Sequence, residues 1–276
     1  MKNLTHTFLF ACLLVSCSTP TEETNSTITN HKIVLSSDIK WEKLNPARGD
    51  KSPQAGTIWG DRKGEVATGF LAKFVDGFSS PPHIHNVTYR AIVLKGLIHN
   101  DDPEAKTMWM KPGSFWTQPK GESHITSAKG GETIAYVEID QGPYLVEPIN
   151  EAFDNGERPI NIDVSNLVWL GFDQTNWIEQ NTNAELCYLW GSQNDDNLKG
   201  LFIKLPSGFK GNLRSNGDIF HSVVVQGKLG YSTTTNSILD VGSYFSSTSA
   251  ANHSIANDSN KETVLYIRTN GSIKIQ

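Results

Sequence analysis

The sequence predicts an all-β protein built from two homologous barrels, and three observations support this prediction. Segments of useful length with helical periodicity are nearly absent after residue 31. Short runs rich in β-branched and aromatic residues replace them, for example at 89–94, 133–137 and 263–267, with Gly, Pro and Asn between the runs. Strands at this spacing are typical of all-β sandwiches and barrels. The third observation is an internal repeat.

The repeat relates the two halves of the chain by a constant offset. Seven positions recur 131 residues later without an insertion: Trp59, Gly60, Gly69, Lys73, Gly77, Phe78 and Gly96 return as Trp190, Gly191, Gly200, Lys204, Gly208, Phe209 and Gly227. Gly113 and His124 are matched by Gly242 and His253, with the same spacing of eleven positions. Such a duplication indicates two copies of one barrel, with glycines where the strands turn tightly.

We expect four segments along the chain. Residues 1–16 are predicted to be a secretory signal, because Lys2 precedes a mostly apolar stretch that is too short to span a bilayer. The sequence Leu14-Val15-Ser16-Cys17 resembles a bacterial lipobox, whose cysteine is lipidated after cleavage. Residues 17–30, rich in Thr, Ser, Asn and Glu, are expected to form a flexible tether. The first barrel is expected over 31–150 and the second over 160–276.

Lipidation at Cys17 implies a location and a partner. The protein would be anchored to the bacterial cell envelope, on the periplasmic or the surface face of the outer membrane. It would contact the membrane through this lipid alone. The alternative is an ordinary signal sequence with an accidental cysteine.

Composition and cysteine usage exclude two kinds of function. The formal net charge is −5 with a pI near 5.9, so no basic surface is expected to gather the phosphates of a nucleic acid. After cleavage and lipidation, Cys187 is the one cysteine left. It can form neither an internal disulfide nor a multi-thiol metal site, and its apolar neighbours predict a small buried side chain.

Three histidines carry the clearest chemical signal. His83 and His85 are separated by one residue, and alternate residues of a strand point to the same face. Their imidazoles can therefore reach one ion, at the roughly 2.0–2.1 Å typical of zinc–nitrogen bonds. His124 follows a Pro-x-Gly turn and would close the site from another strand. The pattern predicts one divalent metal ion in the first barrel; the alternative is a vestigial pocket without metal.

The spacing of these residues resembles the two sequence motifs of the cupin superfamily. The first motif comprises Gly77, His83, His85, Tyr89 and Gly96, and the second comprises Gly113, Pro119, Gly121 and His124. The resemblance implies two tandem jelly-roll β-barrels, an arrangement known as a bicupin. The sequence looks especially like a little-characterised bicupin family related to acetylacetone-cleaving dioxygenases and to the cupin half of a zinc-binding anti-sigma factor. The resemblance also implies a homodimer, formed through exposed strand edges.

Tyr89 stands where the family pattern has a glutamate ligand. Three neutral ligands leave more of the ion's positive charge uncompensated, which suits a substrate that supplies an enolate or carboxylate oxygen. Related three-histidine cupins carry ferrous iron and activate dioxygen, so Fe²⁺ is the first choice, with Zn²⁺, Mn²⁺ and Ni²⁺ as alternatives. Tyr89 has three open roles: ligand, hydrogen-bond donor to substrate, or packing residue. His99 is a tentative acid or base, and the sequence does not determine which face it occupies.

The second barrel is predicted to lack a metal. At the offset of 131 residues, Arg214, Asn216 and Phe220 replace His83, His85 and Tyr89; His253 is the counterpart of His124 at an offset of 129 residues. Arginine offers no lone pair to a metal. His221 is expected to point away from the side that Phe220 occupies. A degenerate anion pocket built from Arg214 and His253 is the alternative to a purely structural barrel.

These observations predict a metal-binding bicupin lipoprotein. The favoured function is a metal-dependent, dioxygenase-like enzyme that acts on a small oxyanion or enol substrate. Two alternatives stay open: a non-enzymatic sensor or binder of small molecules such as sugar acids, and a metal-dependent isomerase or lyase of sugar derivatives. Fold alone does not select among them.

Overall fold

The computed structural model describes residues 31–193, 197–232 and 236–276. The expected signal, Cys17 and the tether lie outside these residues. In the part described, no helix is long and apolar enough to cross a membrane.

The described chain is built almost entirely from strands. The first ten are β1 Lys32–Val34, β2 Glu42–Lys43, β3 Gln54–Trp59, β4 Thr68–Phe74, β5 His83–His85, β6 Tyr89–Asp101, β7 Phe115–Gln118, β8 Ile125–Ile139, β9 Val146–Pro148 and β10 Ile160–Ile162. Ten more follow: β11 Glu185–Gly191, β12 Lys199–Leu205, β13 Lys210–Ser215, β14 Phe220–Gln226, β15 Lys228–Ser232, β16 Asn236–Asp240, β17 Tyr244–Ser247, β18 Ala251–Ala256, β19 Thr263–Thr269 and β20 Ile273–Ile275. Short 3-10 helices lie at Ser36–Asp38, Pro46–Lys51, Ile149–Glu151, Val164–Asn166 and Gln180–Thr182.

Apart from β1 and β10, the strands form two antiparallel barrels in sequence order. The first contains a seven-stranded sheet, in the order β10-β7-β6-β8-β4-β3-β2, and the strand pair β5-β9. The second contains a six-stranded sheet, β1-β17-β14-β19-β12-β11, and a five-stranded sheet, β16-β15-β18-β13-β20. Short strands rich in β-branched and aromatic residues pair in this way because each then buries one face in a barrel interior.

The two barrels exchange edge strands. β1 comes from the start of the first predicted domain but pairs with β17 of the second barrel, with Ile33 opposite Phe245. β10 comes from the start of the second predicted domain but pairs with β7 of the first barrel, with Asn161 opposite Trp116. Each exchanged strand covers a sheet edge that would otherwise present unpaired backbone groups. The domain limits at 31–150 and 160–276 stay a prediction. The structure adds that β1 and β10 each pair with a strand of the other barrel.

The internal repeat has a direct structural counterpart at the interface between the barrels. Trp59 lies opposite Gly69 on the neighbouring strand, and Trp190 lies opposite Gly200. A Cβ atom at either glycine would overlap the indole of its tryptophan. The indole nitrogens donate to Tyr136 Oη at 3.1 Å and Tyr266 Oη at 2.9 Å. The duplicated residues therefore build one apolar interface shared by both barrels.

Candidate metal centre

The three predicted ligands are brought together by two backbone segments. β5 carries His83 and His85 on one face, with the fully buried Ile84 between them on the other. His124 lies directly opposite His83, because each backbone N–H donates to the other's carbonyl, at 3.1 and 3.0 Å. The strand alternation and this bridge place all three rings at one end of the first barrel.

The imidazoles lie close enough to share one ion. One ring nitrogen from each of His83, His85 and His124 lies within 4.8 Å of the others. His85 and His124 are 2% and 1% exposed, whereas His83 is only partly buried. The cluster is thus reached from the side on which His83 lies. Among the described residues no carboxylate joins this group.

Backbone carbonyls orient all three rings. Nδ1 of His83 lies 2.9 Å from the Pro81 carbonyl oxygen, Nδ1 of His85 lies 2.7 Å from that of Leu145, and Nδ1 of His124 lies 3.4 Å from that of Glu122. A carbonyl only accepts, so each Nδ1 carries the proton and each Nε2 keeps its lone pair. This is how metal-ligating histidines are usually held by their surroundings.

Burial keeps the three rings neutral. Desolvation lowers the pKa of His83, lowers that of His85 to about 3, and lowers that of His124 well below its ordinary value. The neighbouring imidazoles reinforce the effect at His85 and His124. A neutral imidazole is the form that ligates a metal, so the donor set fits one divalent ion.

Tyr89 lies beside the histidines, where the family pattern has glutamate. Its hydroxyl donates to Asn100 Oδ1 at 3.0 Å and lies 3.5 Å from His124 Nε2. Trp116 Nε1 donates to the same hydroxyl at 3.4 Å, and Thr126 Oγ1 donates to Asn100 Oδ1 at 2.7 Å. Desolvation raises the pKa of Tyr89, so it stays a phenol. Sequence reasoning missed Asn100, which no motif marks.

The structure does not bring His99 to the three histidines. Its neighbour Asn100 points toward Tyr89, and successive residues of a strand face opposite sides. The His99 ring instead accepts from the Met108 backbone N–H at 3.4 Å and lies 6.3 Å from the Trp109 ring.

A second tyrosine, Tyr144, completes the cluster and has no signal in the sequence. Its ring stacks on the His85 ring with centroids 4.4 Å apart, and its hydroxyl lies 3.1 Å from His85 Nε2. It follows His85 by 59 positions, after the long strand β8, and belongs to neither motif. Pairing of β9 with β5 is what returns the chain to the site.

The second barrel departs from its predicted register by one residue. Leu213, not Arg214, lies opposite His253, so the offset of 131 residues fails along β13. Arg214 faces solvent, while His253 is fully buried and hydrogen-bonds with Tyr231 at 2.7 Å and Ser247 at 3.1 Å. The alternative of an anion pocket formed by Arg214 and His253 is therefore wrong, because strand alternation points the two side chains to opposite faces.

The predicted orientation of His221 agrees with the structure. Phe220 stacks on His253 inside the second barrel, with centroids 4.4 Å apart. His221 turns the other way and stacks on Trp59 of the first barrel, with centroids 4.2 Å apart. It serves the interface between the barrels.

Solved structures share this fold at low sequence identity. A provisionally assigned dioxygenase from Nostoc punctiforme matches with a TM-score of 0.68 and 12% identity, covering 89% of this chain and 86% of that one. A formate complex of oxalate decarboxylase from Lactobacillus farciminis matches with a TM-score of 0.56 and 12% identity, covering 88% and 87%. Oxalate decarboxylase from Bacillus subtilis, described with Mn(II) centres, matches with a TM-score of 0.54 and 12% identity, covering 92% and 80%.

These likenesses confirm the predicted fold class, two tandem cupin-type β-barrels. The finer resemblance to acetylacetone-cleaving dioxygenases stays a prediction. A comparison with curated proteins finds no match. A family model described as a domain of unknown function, DUF4437, matches residues 32–276, and the chain therefore belongs to this family.

Proposed function

We propose that this protein is a metal-dependent, oxygenase-like enzyme that acts on a small oxyanion or enol substrate. The observation that carries the proposal is the donor set: three neutral imidazoles, each oriented through Nδ1, with no carboxylate ligand among the described residues. A bound divalent ion would supply Lewis acidity and, as Fe²⁺, the activation of dioxygen.

The chain's own residues favour an anionic ligand. Neither the imidazoles nor the carbonyls that orient them carry a charge, so nothing in the cluster compensates the charge of an ion. An enolate or carboxylate oxygen supplies that compensation. The site would therefore bind the ionised form of its substrate.

Exposed apolar side chains in and beside β9, the strand that pairs with β5, favour an organic substrate with an apolar part. Leu145 is 45% exposed, Val146 65%, Ile149 48% and Phe153 47%. Clustered exposed apolar surface commonly marks a binding site. A hydrated inorganic anion would gain nothing from it.

A metal-dependent lyase acting on a small carboxylate is the second candidate. The fold is shared with oxalate decarboxylases as well as with a provisionally assigned dioxygenase. Oxygen uptake separates the two functions, since a decarboxylation consumes no net dioxygen. Release of carbon dioxide without oxygen uptake would favour the lyase.

We further propose that the enzyme is a lipoprotein of the cell envelope. The Leu14-Val15-Ser16-Cys17 sequence supports this location. Cys17→Ala should move the full-length chain from the detergent-rich to the aqueous phase on detergent phase partitioning. Unchanged partitioning would refute lipidation.

Metal analysis of the purified mature chain tests the centre. The triple variant His83→Ala/His85→Ala/His124→Ala should lose stoichiometric metal, while the matched variant His253→Gln in the second barrel should retain it. Equal metal content in the triple variant and the wild type would refute the site. Oxygen uptake by the Fe²⁺-loaded protein with diketones, enols and uronic acids then tests the reaction. No turnover with any of them would favour a binding protein.

A further inference from the structure

Tyr144 is held beside the metal centre by hydrogen bonds on both sides of it. The Asn86 side-chain amide donates to the Pro143 carbonyl at 2.9 Å, and the Leu145 backbone N–H donates to Asn86 Oδ1 at 2.9 Å. His85 Nδ1 donates to the Leu145 carbonyl at 2.7 Å. Three hydrogen bonds thus join the adjacent residues His85 and Asn86 to the residues on either side of Tyr144. These bonds determine where the Tyr144 ring lies.

In this position the Tyr144 hydroxyl donates its hydrogen to a ring nitrogen of the metal centre. His85 Nδ1 carries the ring proton, so His85 Nε2 accepts, and the Tyr144 hydroxyl donates to it at 3.1 Å. The ring is fixed by the stack on His85 and by an edge contact to Phe70, with centroids 5.1 Å apart. Within the described chain, His85 Nε2 is the one hydrogen-bond acceptor of this hydroxyl.

Metal binding and this hydrogen bond compete for the same lone pair. When His85 Nε2 ligates an ion, the Tyr144 hydroxyl loses its acceptor. A buried donor without a partner is costly, and native structures rarely leave one unpaired. The hydroxyl therefore needs a new acceptor at the moment the centre is loaded, and an anionic ligand of the ion brings one to the same place.

We propose that Tyr144 is the substrate-binding residue that donates a hydrogen bond to the oxyanion held at the metal. The inference rests on the proposed function and specifies its ligand: a carboxylate or enolate whose oxygens contact both the ion and the Tyr144 hydroxyl. The Tyr144 hydroxyl, 3.1 Å from His85 Nε2, lies where it can reach such an oxygen.

Tyr89 provides a matched comparison at the same centre. Its hydroxyl also lies near a ligand nitrogen, but its hydrogen is given to Asn100 Oδ1 rather than to that nitrogen. Tyr89 can present only a lone pair to the ligand position. Removal of the Tyr89 hydroxyl should therefore leave the affinity for an oxyanion nearly unchanged.

The test uses Co²⁺ as the metal and acetate as the oxyanion. Tyr144→Phe should bind Co²⁺ about 2- to 10-fold more tightly than wild type, because the competing hydrogen bond is gone. The Co²⁺-loaded variant should bind acetate at least about tenfold more weakly, because a hydrogen bond to a charged group is lost. Tyr89→Phe should change acetate affinity by less than about threefold. Titrations followed by the visible spectrum of Co²⁺ measure both affinities.

The opposite changes expected in Co²⁺ affinity and acetate affinity separate a substrate-binding role of Tyr144 from a structural one. A structural defect at Tyr144 would weaken Co²⁺ and acetate binding together, and that result would overturn the inference. Unchanged acetate affinity in a Tyr144→Phe protein that still binds Co²⁺ would overturn it while leaving the metal centre intact. Failure of the wild type to bind Co²⁺ would refute the metal centre itself, and with it this role.

Discussion

Backbone carbonyls, rather than carboxylates, orient the three imidazoles of the metal centre. A carboxylate behind a ligating histidine raises its basicity and adds a negative charge near the ion. Here Pro81, Leu145 and Glu122 supply main-chain oxygens instead. The ligands and their orienting groups are therefore both neutral. At the residue scale this is the main reason to expect an anionic substrate.

In the second barrel, the counterpart of His124 has no histidines at the positions that His83 and His85 occupy in the first barrel. His253 corresponds to His124, yet it lies in the core of the second barrel, where it hydrogen-bonds with Tyr231 and Ser247 and stacks on Phe220. Desolvation lowers its pKa to about 3. The ring is neutral, as the ligands are, but both nitrogens already have partners. A buried neutral histidine of this kind makes stability depend on pH.

His253 should contribute to acid unfolding. Below its ordinary pKa of 6.5, the unfolded chain takes up a proton that the folded chain refuses, so stability is complete above this pH and falls as the pH drops toward 3. The loss is about 1.4 kcal/mol per pH unit for one such group. His253→Gln should remove this contribution. Between pH 6 and pH 4, the free energy of unfolding of the variant should fall by about 1.4 kcal/mol less per pH unit than that of the wild type. Urea unfolding at several pH values measures it, and an unchanged slope would contradict the assignment.

Exchange of edge strands ties the two barrels together at the scale of elements. β1 and β10 are each only three residues long, and neither has a partner in the barrel to which its sequence neighbours belong. Each closes the edge of the other barrel's sheet. Ile33 and Val34 of β1 also pack against the two apolar cores of the second barrel and the interface.

Removal of β1 should destabilise the second barrel although β1 precedes the first. A chain that begins at Ser36 should be less stable than one that begins at His31 by about 2 kcal/mol, the value expected for exposing the partly buried Ile33 and Val34. Chemical denaturation of the two truncated proteins measures the difference. Both lack the same leader, so the shorter chain differs only in β1 and its flanks. Equal stability would show that the exchange contributes nothing.

The whole molecule is organised around a buried ion pair between the barrels. Glu138 of the first barrel and Arg268 of the second have side chains that are 1% and 4% exposed, and Arg268 Nη1 lies 3.2 Å from Glu138 Oε1. Tyr136 and Tyr266 donate to the Glu138 carboxylate at 2.9 and 2.7 Å. Asp140 pairs with Arg268 at 2.8 Å. The network gives Glu138, Arg268 and Asp140 each a charged partner at an otherwise apolar interface.

Breaking this pair from one side should be costly, and removing both charges should not. Arg268→Met leaves Glu138 buried without a cation, so the free energy of unfolding should fall by about 3 kcal/mol. The double variant Glu138→Gln/Arg268→Met should recover most of that loss, since it leaves neither buried charge unpaired, although the single amide oxygen can accept from only one of the two tyrosines. Equilibrium unfolding of the three proteins gives the comparison. A double variant no more stable than Arg268→Met alone would contradict the account.

Local patterns were enough to predict the fold class and the grouping of the histidines. Strand alternation places His83 and His85 on one face whatever the rest of the chain does. The duplicated Trp59 and Trp190, each opposite a small residue, repeat because both barrels use the same interface. These features depend on neighbours in sequence or on a repeat, so they can be recognised without knowing which strands pair.

Strand pairing decided the remaining features. Irregularities in β6 between Val93 and Leu97 change its register, which is why the face occupied by His99 could not be derived from spacing. A one-residue shift on β13 similarly turned Arg214 outward.

Tyr144 shows the limit most clearly. The sequence by itself determined a duplicated β fold with three clustered histidines, because periodicity is a local property. Only the tertiary structure placed Tyr144 and the backbone carbonyls at that cluster. It also paired β1 with the second barrel and β10 with the first. Those contacts join residues far apart along the chain, and no spacing rule connects residues that only a completed sheet brings together.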